Sequence, residues 1–203
     1  SHFDIWASPV DEGDVYVLND GTCYILSPND DLMFVGEFSP TESGNNILVG
    51  GTNNGETFLH CRVGGQLYSS MSGGSTWSAK GDLPSGTFTI NSFECAPNDP
   101  DNLVIGNIDG YKTSNGGNSW NLINYWWEYY SAPETKLHAD LPDFSYFIDP
   151  GTGDEFQLIS TDGGLYISYD QFNSVQNISM SGLGVRWWDK SLDRLSRICH
   201  VLP

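Results

Sequence analysis

The side chains best equipped for chemistry crowd between residues 124 and 144. Tyr125, Trp126, Trp127, Tyr129 and Tyr130 place five aromatic rings within six positions, and His138 follows them. Rows of Trp and Tyr serve as platforms for stacking on sugar rings or for gripping protein side chains. A run this dense cannot be wholly buried on one strand face, because successive side chains of a strand point apart. Two readings therefore stand: a ligand platform of Trp126, Trp127, Tyr129, Tyr130 and His138, or core filling beneath a long loop.

Other reactive arrangements are missing from the sequence. It holds no glycine-rich phosphate loop, no nucleophile elbow and no HExxH pair. Cys23, Cys61, Cys95 and Cys199 stand far apart, with neither CxxC nor metal-knuckle spacing. Their expected role is that of small buried hydrophobes, with a Cys23–Cys61 bridge left open. No metal site and no cofactor is expected.

These residues need a scaffold, and the composition points to a β one. Of 203 residues, 38% are hydrophobic, 13% aromatic and only 17% charged, with 23 glycines. That balance describes a folded, turn-rich chain rather than a disordered one. Net charge is −18, from 26 acidic and 8 basic residues. So negative a surface repels phosphate backbones and anionic lipid, which argues against nucleic acid as a partner. Solubility is its plainest use. Cation binding is the sharper one, but no Asp/Asn/Gly loop has EF-hand spacing. No stretch approaches about 20 consecutive apolar residues, so no membrane span is expected. The chain opens at Ser1-His2-Phe3 without initiator Met or signal peptide, which suggests a processed or partial chain.

An internal repeat organises the sequence. Residues 67–77 (Leu-Tyr-Ser-Ser-Met-Ser-Gly-Gly-Ser-Thr-Trp), 110–120 (Gly-Tyr-Lys-Thr-Ser-Asn-Gly-Gly-Asn-Ser-Trp) and 165–175 (Leu-Tyr-Ile-Ser-Tyr-Asp-Gln-Phe-Asn-Ser-Val) align without gaps. A fainter copy follows Asn19-Asp20-Gly21, with Tyr24 at the shared tyrosine. The tyrosines at 24, 68, 111 and 166 are 44, 43 and 55 residues apart. Propeller blades are about 40–50 residues long, so the last step needs an insertion. In the third copy we expect an inner strand near 90–95, a Pro/Asn/Asp turn, strands at 103–107 and 110–114, and a fourth beginning at Ser119-Trp120. The predicted fold is an all-β propeller of four-stranded antiparallel blades, forming an incomplete ring. Its blades are expected near 3–40, 45–82, 88–124 and 144–180, within a domain of residues 1–185 and with an insertion at 124–144.

The repeated segments resemble the Asp box, Ser-x-Asp-x-Gly-x-Thr-Trp, of sialidases, sortilin-type receptors and xyloglucanase-type propellers. The box positions are Ser70, Ser72, Gly74 and Trp77, then Thr113, Asn115, Gly117 and Trp120, and finally Ser168 and Asp170. The resemblance implies structural turns rather than catalytic sites. The polar third residue would bond turn N–H groups, the glycine would take a conformation closed to most residues, and the Trp would fill the gap between sheets. His138-Ala139-Asp140, with the later Asp162-Gly163-Gly164-Leu165-Tyr166-Ile167-Ser168, is similar to a segment of bacterial sortilin-type and BNR-repeat exoproteins. Such members commonly carry a second His where this chain has Pro142, a departure that weakens a metal or acid–base role. A polar latch near the propeller axis is the expected use.

The resemblance implies a secreted or cell-surface module that binds an extracellular protein or polysaccharide, with further blades of the same parent chain as partners. The alternative it implies is part of a glycoside hydrolase. Sialidase chemistry needs an arginine cluster, yet the arginines are Arg62 and Arg186, Arg194 and Arg197. Xyloglucanase-type hydrolysis needs two carboxylates about 5–10 Å apart; Asp140 and Asp149 are the candidates. Residues 186–203 change character, with Arg186, Lys190, Arg194 and Arg197 spaced for one helix face. They read either as a basic amphipathic helix or as a departure from the natural continuation of the chain.

Overall fold

The computed structural model describes residues 3–8, 14–26, 29, 31–44, 46–84 and 92–180. The expectations for the basic tail at 186–203 and for Cys199 lie outside the described residues.

Among the described residues, sixteen strands form four antiparallel sheets of four strands each. Sheet one is β1 (Phe3–Ala7), β2 (Val15–Asn19), β3 (Thr22–Leu26) and β4 (Leu32–Glu37). Sheet two is β5 (Asn46–Asn53), β6 (Glu56–Val63), β7 (Gln66–Ser70) and β8 (Ser78–Asp82). Sheet three is β9 (Phe93–Cys95), β10 (Leu103–Gly106), β11 (Gly110–Thr113) and β12 (Asn121–Asn124). Sheet four is β13 (Asp143–Ile148), β14 (Glu155–Thr161), β15 (Gly164–Ser168) and β16 (Gln176–Asn177). Each sheet is an up-and-down meander in chain order. Innermost strands meet in series, β1 on β5, β5 on β9 and β9 on β13. The architecture is that of an incomplete β-propeller.

The core lies between the sheets. Leu18, Cys23, Leu59, Cys61 and Tyr68 fill the first junction, with Trp6 and Trp77 packed against them. Ile47, Leu67, Phe93, Cys95 and Ile105 fill the second, and Val104, Phe144, Ile159, Tyr166 and Phe172 the third. Cys23, Cys61 and Cys95 are free thiols buried in these layers, as their isolated spacing suggested. Burying each large side chain here contributes about 2–3 kcal/mol.

The three repeated turns carry the same hydrogen bonds. The first hydroxyl accepts the N–H four residues on: Ser70 from Gly74 (2.9 Å), Thr113 from Gly117 (3.3 Å) and Ser168 from Phe172 (2.9 Å). The polar residue two places later does likewise: Ser72 from Thr76 (3.0 Å), Asn115 from Ser119 (3.0 Å) and Asp170 from Ser174 (2.8 Å). Trp77 and Trp120 then pack against the first and second junctions, while Val175 takes that place in the third. Because Asn115 holds Ser119 inside the turn, β12 begins at Asn121 rather than at Ser119.

Each turn needs two consecutive left-handed residues. Gly73-Gly74 and Gly116-Gly117 supply them, but in sheet four they are Gln171 (φ 56°) and Phe172 (φ 59°). Non-glycine residues held there cost about 1–2 kcal/mol each. The cost at Phe172 is offset by its ring, which lies edge-on to Phe144 and Tyr146 in the third junction. Removing a buried Phe side chain costs about 3–5 kcal/mol. Phe172→Gly should therefore destabilise the chain by about 2 kcal/mol despite relieving the backbone. A midpoint at or above wild type in urea denaturation would contradict that balance.

Candidate functional site

The aromatic run lies in the connection from β12 to β13, on the end of the propeller that carries the β10–β11 and β14–β15 turns. Residues Trp126–Ser131 form a 3-10 helix, none of them buried. Three residues per turn set Trp127 and Tyr130 on one side of that helix and Trp126 and Tyr129 on another. Tyr125 stacks parallel on Trp127, with ring centroids 4.3 Å apart and planes 11° apart. Tyr125, Trp127 and Tyr130 are 47, 52 and 69% exposed. Those three rings are surface, whereas Trp126 is half-buried and Tyr129 packs against the third core layer, which Leu137 and Leu141 further along the insertion fill.

The insertion is tied down at every corner. The buried Asn124 amide donates to the carbonyls of Tyr125 (2.8 Å) and Leu137 (3.1 Å), and its oxygen accepts the Leu137 N–H (3.0 Å). Asp109, in the β10–β11 turn, accepts the Trp126 N–H at 2.7 Å. Glu128 accepts the Tyr125 N–H at 2.9 Å and pairs with Lys136 at 2.7 Å. On the sheet-four side, Tyr166 donates its hydroxyl to the Pro133 carbonyl (3.2 Å), and the Asn177 N–H donates to Glu134 O (2.8 Å). Satisfying so many loop groups fixes the backbone before a ligand arrives, and such pre-organisation lowers the entropy lost on binding.

His138 sits beneath the helix. Its ring meets the edges of Tyr129 and Tyr130 at centroid distances of 4.5 and 6.0 Å. A Cβ on Gly163 would come within 2.5 Å of the His138 Cβ, so glycine lets the β14–β15 turn close against it. The described hydrogen bond of the ring runs from Nδ1 to the Ala139 carbonyl (3.3 Å). Asp140 adopts a left-handed φ of 60° and donates its N–H to Ile108 O (3.3 Å). Among the described residues no cluster of three or more His, Cys, Asp and Glu assembles as a metal site.

The two candidate catalytic aspartates do not share a cleft. Asp140 precedes β13 on the platform end. Asp149 follows β13 and accepts the Gly151 N–H (2.7 Å) in the turn at the opposite end. The strand between them spans about 20 Å. The carboxyl with unusual chemistry is one the sequence did not flag. Glu94, on β9, is pushed up to about 7 by burial, with Asp143 and Asp4 adding repulsion. The alternation Phe93-Glu94-Cys95 was the available signal: with both neighbours in the second junction, Glu94 must face the third.

No protein-family profile matches the sequence, and no curated protein matches it. Solved structures do resemble the fold. The GH74 xyloglucanase from Xanthomonas campestris matches over 90% of this chain and 30% of its own, with TM-score 0.50 and 15% identity. The GH74 enzyme of Niastella koreensis matches over 86% and 29%, with TM-score 0.48 and 17% identity. The chain thus spans about 30% of the length of the xyloglucanase it matches. At such identities the shared property is the β-propeller fold.

Proposed function

We propose that this chain is a secreted or cell-surface propeller segment, of the Asp-box kind, that binds polysaccharide on its aromatic helix. The observation that carries the reading is the parallel Tyr125–Trp127 stack beside Tyr130, about half exposed and held on an anchored insertion. Exposed indole and phenol faces lose favourable contact with nothing but water until a flat apolar partner covers them. The apolar face of a pyranose ring is such a partner. The fold neighbour that is named a xyloglucanase supports a polysaccharide as the ligand. Trp127→Ala combined with Tyr130→Ala should weaken binding of xyloglucan oligosaccharides by roughly tenfold to a hundredfold, at about 1.4 kcal/mol per tenfold. Titration calorimetry reads the affinity and circular dichroism checks the fold; unaltered affinity in a folded variant rejects the platform.

A second reading, part of a glycoside hydrolase, is favoured by Glu94. A carboxyl still protonated near neutrality is the form a general acid requires, and Asp143 and Asp4 are its acidic neighbours. Release of reducing ends from xyloglucan, lost in Glu94→Gln, would select this reading over simple binding.

A further inference from the structure

A cleft of about 350 Å³ opens between sheets three and four, beside the turns that join β11 to β12 and β15 to β16. Turns alternate ends along an up-and-down sheet, so the cleft lies toward the end opposite the aromatic helix. One wall belongs to sheet three. Lys112 and Asn121 are cross-strand partners there, side by side on one face. Val104, the partner of Lys112 on its other side, packs into the third junction, so this row of side chains faces sheet four. The opposite wall is formed by Tyr146, Gln171 and Asn173.

The walls are fixed by their own bonds. Lys112 Nζ donates to the Gln171 carbonyl (3.0 Å) and to Asn173 Oδ1 (2.8 Å). Gln171 is held left-handed, its amide oxygen accepting the Tyr146 hydroxyl (3.2 Å) and its amide nitrogen donating to Glu155. An ammonium has three N–H donors, and both acceptors here are neutral. One donor and the charge itself are left unanswered. Lys112 makes no ion pair among the described residues. Asp170, whose field it feels, is committed to its own turn, where the Ser168 and Ser174 hydroxyls donate to it at 3.1 and 2.7 Å. Partial burial pushes the Lys112 amine down from its ordinary value. The aligned residues of sheets two and four, Ser69 and Ile167, are buried and uncharged, so the fold does not need a cation at this place. The Asn121 amide beside Lys112 makes no bond among the described residues.

We propose that this cleft is a second binding site, which takes a small, singly charged carboxylate bearing hydroxyl groups, a sugar acid in size and chemistry. Its carboxylate accepts the third Nζ–H of Lys112 in a charge-assisted bond, and the Asn121 amide pairs with its hydroxyls. Small-ligand sites span about 300–1,000 Å³, and a volume at the low end has room for one ring rather than a chain. The net charge of −18 holds polyanions off, which favours a ligand with a single charge. The site stands independently of the aromatic helix.

Titration calorimetry of the full chain with glucuronate tests the site, with glucose as the neutral counterpart and acetate as the bare carboxylate. Glucuronate is expected to bind at least about tenfold more tightly than either. Asn121→Asp leaves the described bonds of Lys112 in place and sets a competing carboxylate beside it. Glucuronate affinity should then fall roughly tenfold or more, with circular dichroism unchanged. Lys112→Met, which keeps the length of the side chain and removes its charge, should give the same loss. Methyl glucuronide bound as well as free glucuronate identifies the ligand as the end of a glycan, and its exclusion identifies a free acid; both results uphold the carboxylate site. Three results overturn the proposal: no glucuronate bound at up to about 20 mM, glucuronate bound no better than glucose, or glucuronate bound equally by folded Asn121→Asp.

Discussion

Gly106→Ala is expected to destabilise the chain by about 3 kcal/mol and to unseat the aromatic helix together with the core beneath it. Gly106 ends β10 directly under the insertion. A Cβ there would stand 2.4 Å from the Leu141 carbonyl oxygen, 2.8 Å from the Phe144 ring and 2.9 Å from the Ser92 Cβ. None of these can swing aside. The Leu141 N–H is bonded to Asn107 O at 2.9 Å, Phe144 is fully buried, and the Ser92 hydroxyl donates to the Gly106 carbonyl at 2.9 Å. Overpacking a tight core by one methyl group costs about 1–3 kcal/mol, and contact with backbone puts this site at the upper end. For a chain of this length that corresponds to a fall of about 6–12 °C in Tm. On the proposed reading of the aromatic helix as a polysaccharide platform, affinity should fall with it even below the transition, because Leu141 lies in the insertion that carries Trp127 and Tyr130. A variant with wild-type Tm would show that sheet three and the insertion are not in close register.

The sequence made the blades legible because their turns are local. Ser70, Gly74 and Trp77 interact with one another across only eight residues, so the type at each position reports its task directly. The four-stranded sheets follow from the same spacing. The aromatic run was harder. Its pairs at Trp126/Tyr129 and Trp127/Tyr130 have the three-residue period of a 3-10 helix, a signal present in the sequence but too short to stand apart from an irregular loop. Whether those rings face water depends on Leu137 and Leu141 taking the core positions, which only packing decides. Glu94 and Gly106 were opaque for the same reason. Their properties come from Asp143 and Leu141, 49 and 35 residues away in the chain. Phe172 aligns with Gly74 and Gly117, but its left-handed backbone and its buried ring emerge only from the structure.

One buried and one half-buried group on inter-sheet surfaces should bend the stability of the chain with pH in opposite senses. His60 lies on β6 facing sheet three. Its Nε2 is 2.8 Å from the Pro100 carbonyl, which can only accept, so Nε2 carries the proton and Nδ1 accepts from the Ser69 hydroxyl at 2.8 Å. Burial pushes this imidazole down to about 4, with repulsion from Lys80 acting the same way and the Pro100 carbonyl opposing. The unfolded histidine, near 6.5, takes up a proton first. Stability from His60 is therefore complete above pH 6.5 and is lost as pH falls through 4, on the order of 3 kcal/mol in all. Glu94 runs the other way. Its folded value of about 7 lies above the unfolded 4.5, so its contribution is complete below pH 4.5 and is lost as pH rises through 7, again on the order of 3 kcal/mol. Single variants separate the two. His60→Gln keeps a donor for Pro100 and an acceptor for Ser69 without titrating, so it should gain on wild type steadily from pH 6.5 to 4. Glu94→Gln should gain on wild type from pH 4.5 to 7 and hold that gain above it. Urea midpoints collected at half-unit steps give both differences. Curves that run parallel to wild type would mean that water reaches these side chains, and that the second and third junctions are looser than their packing indicates.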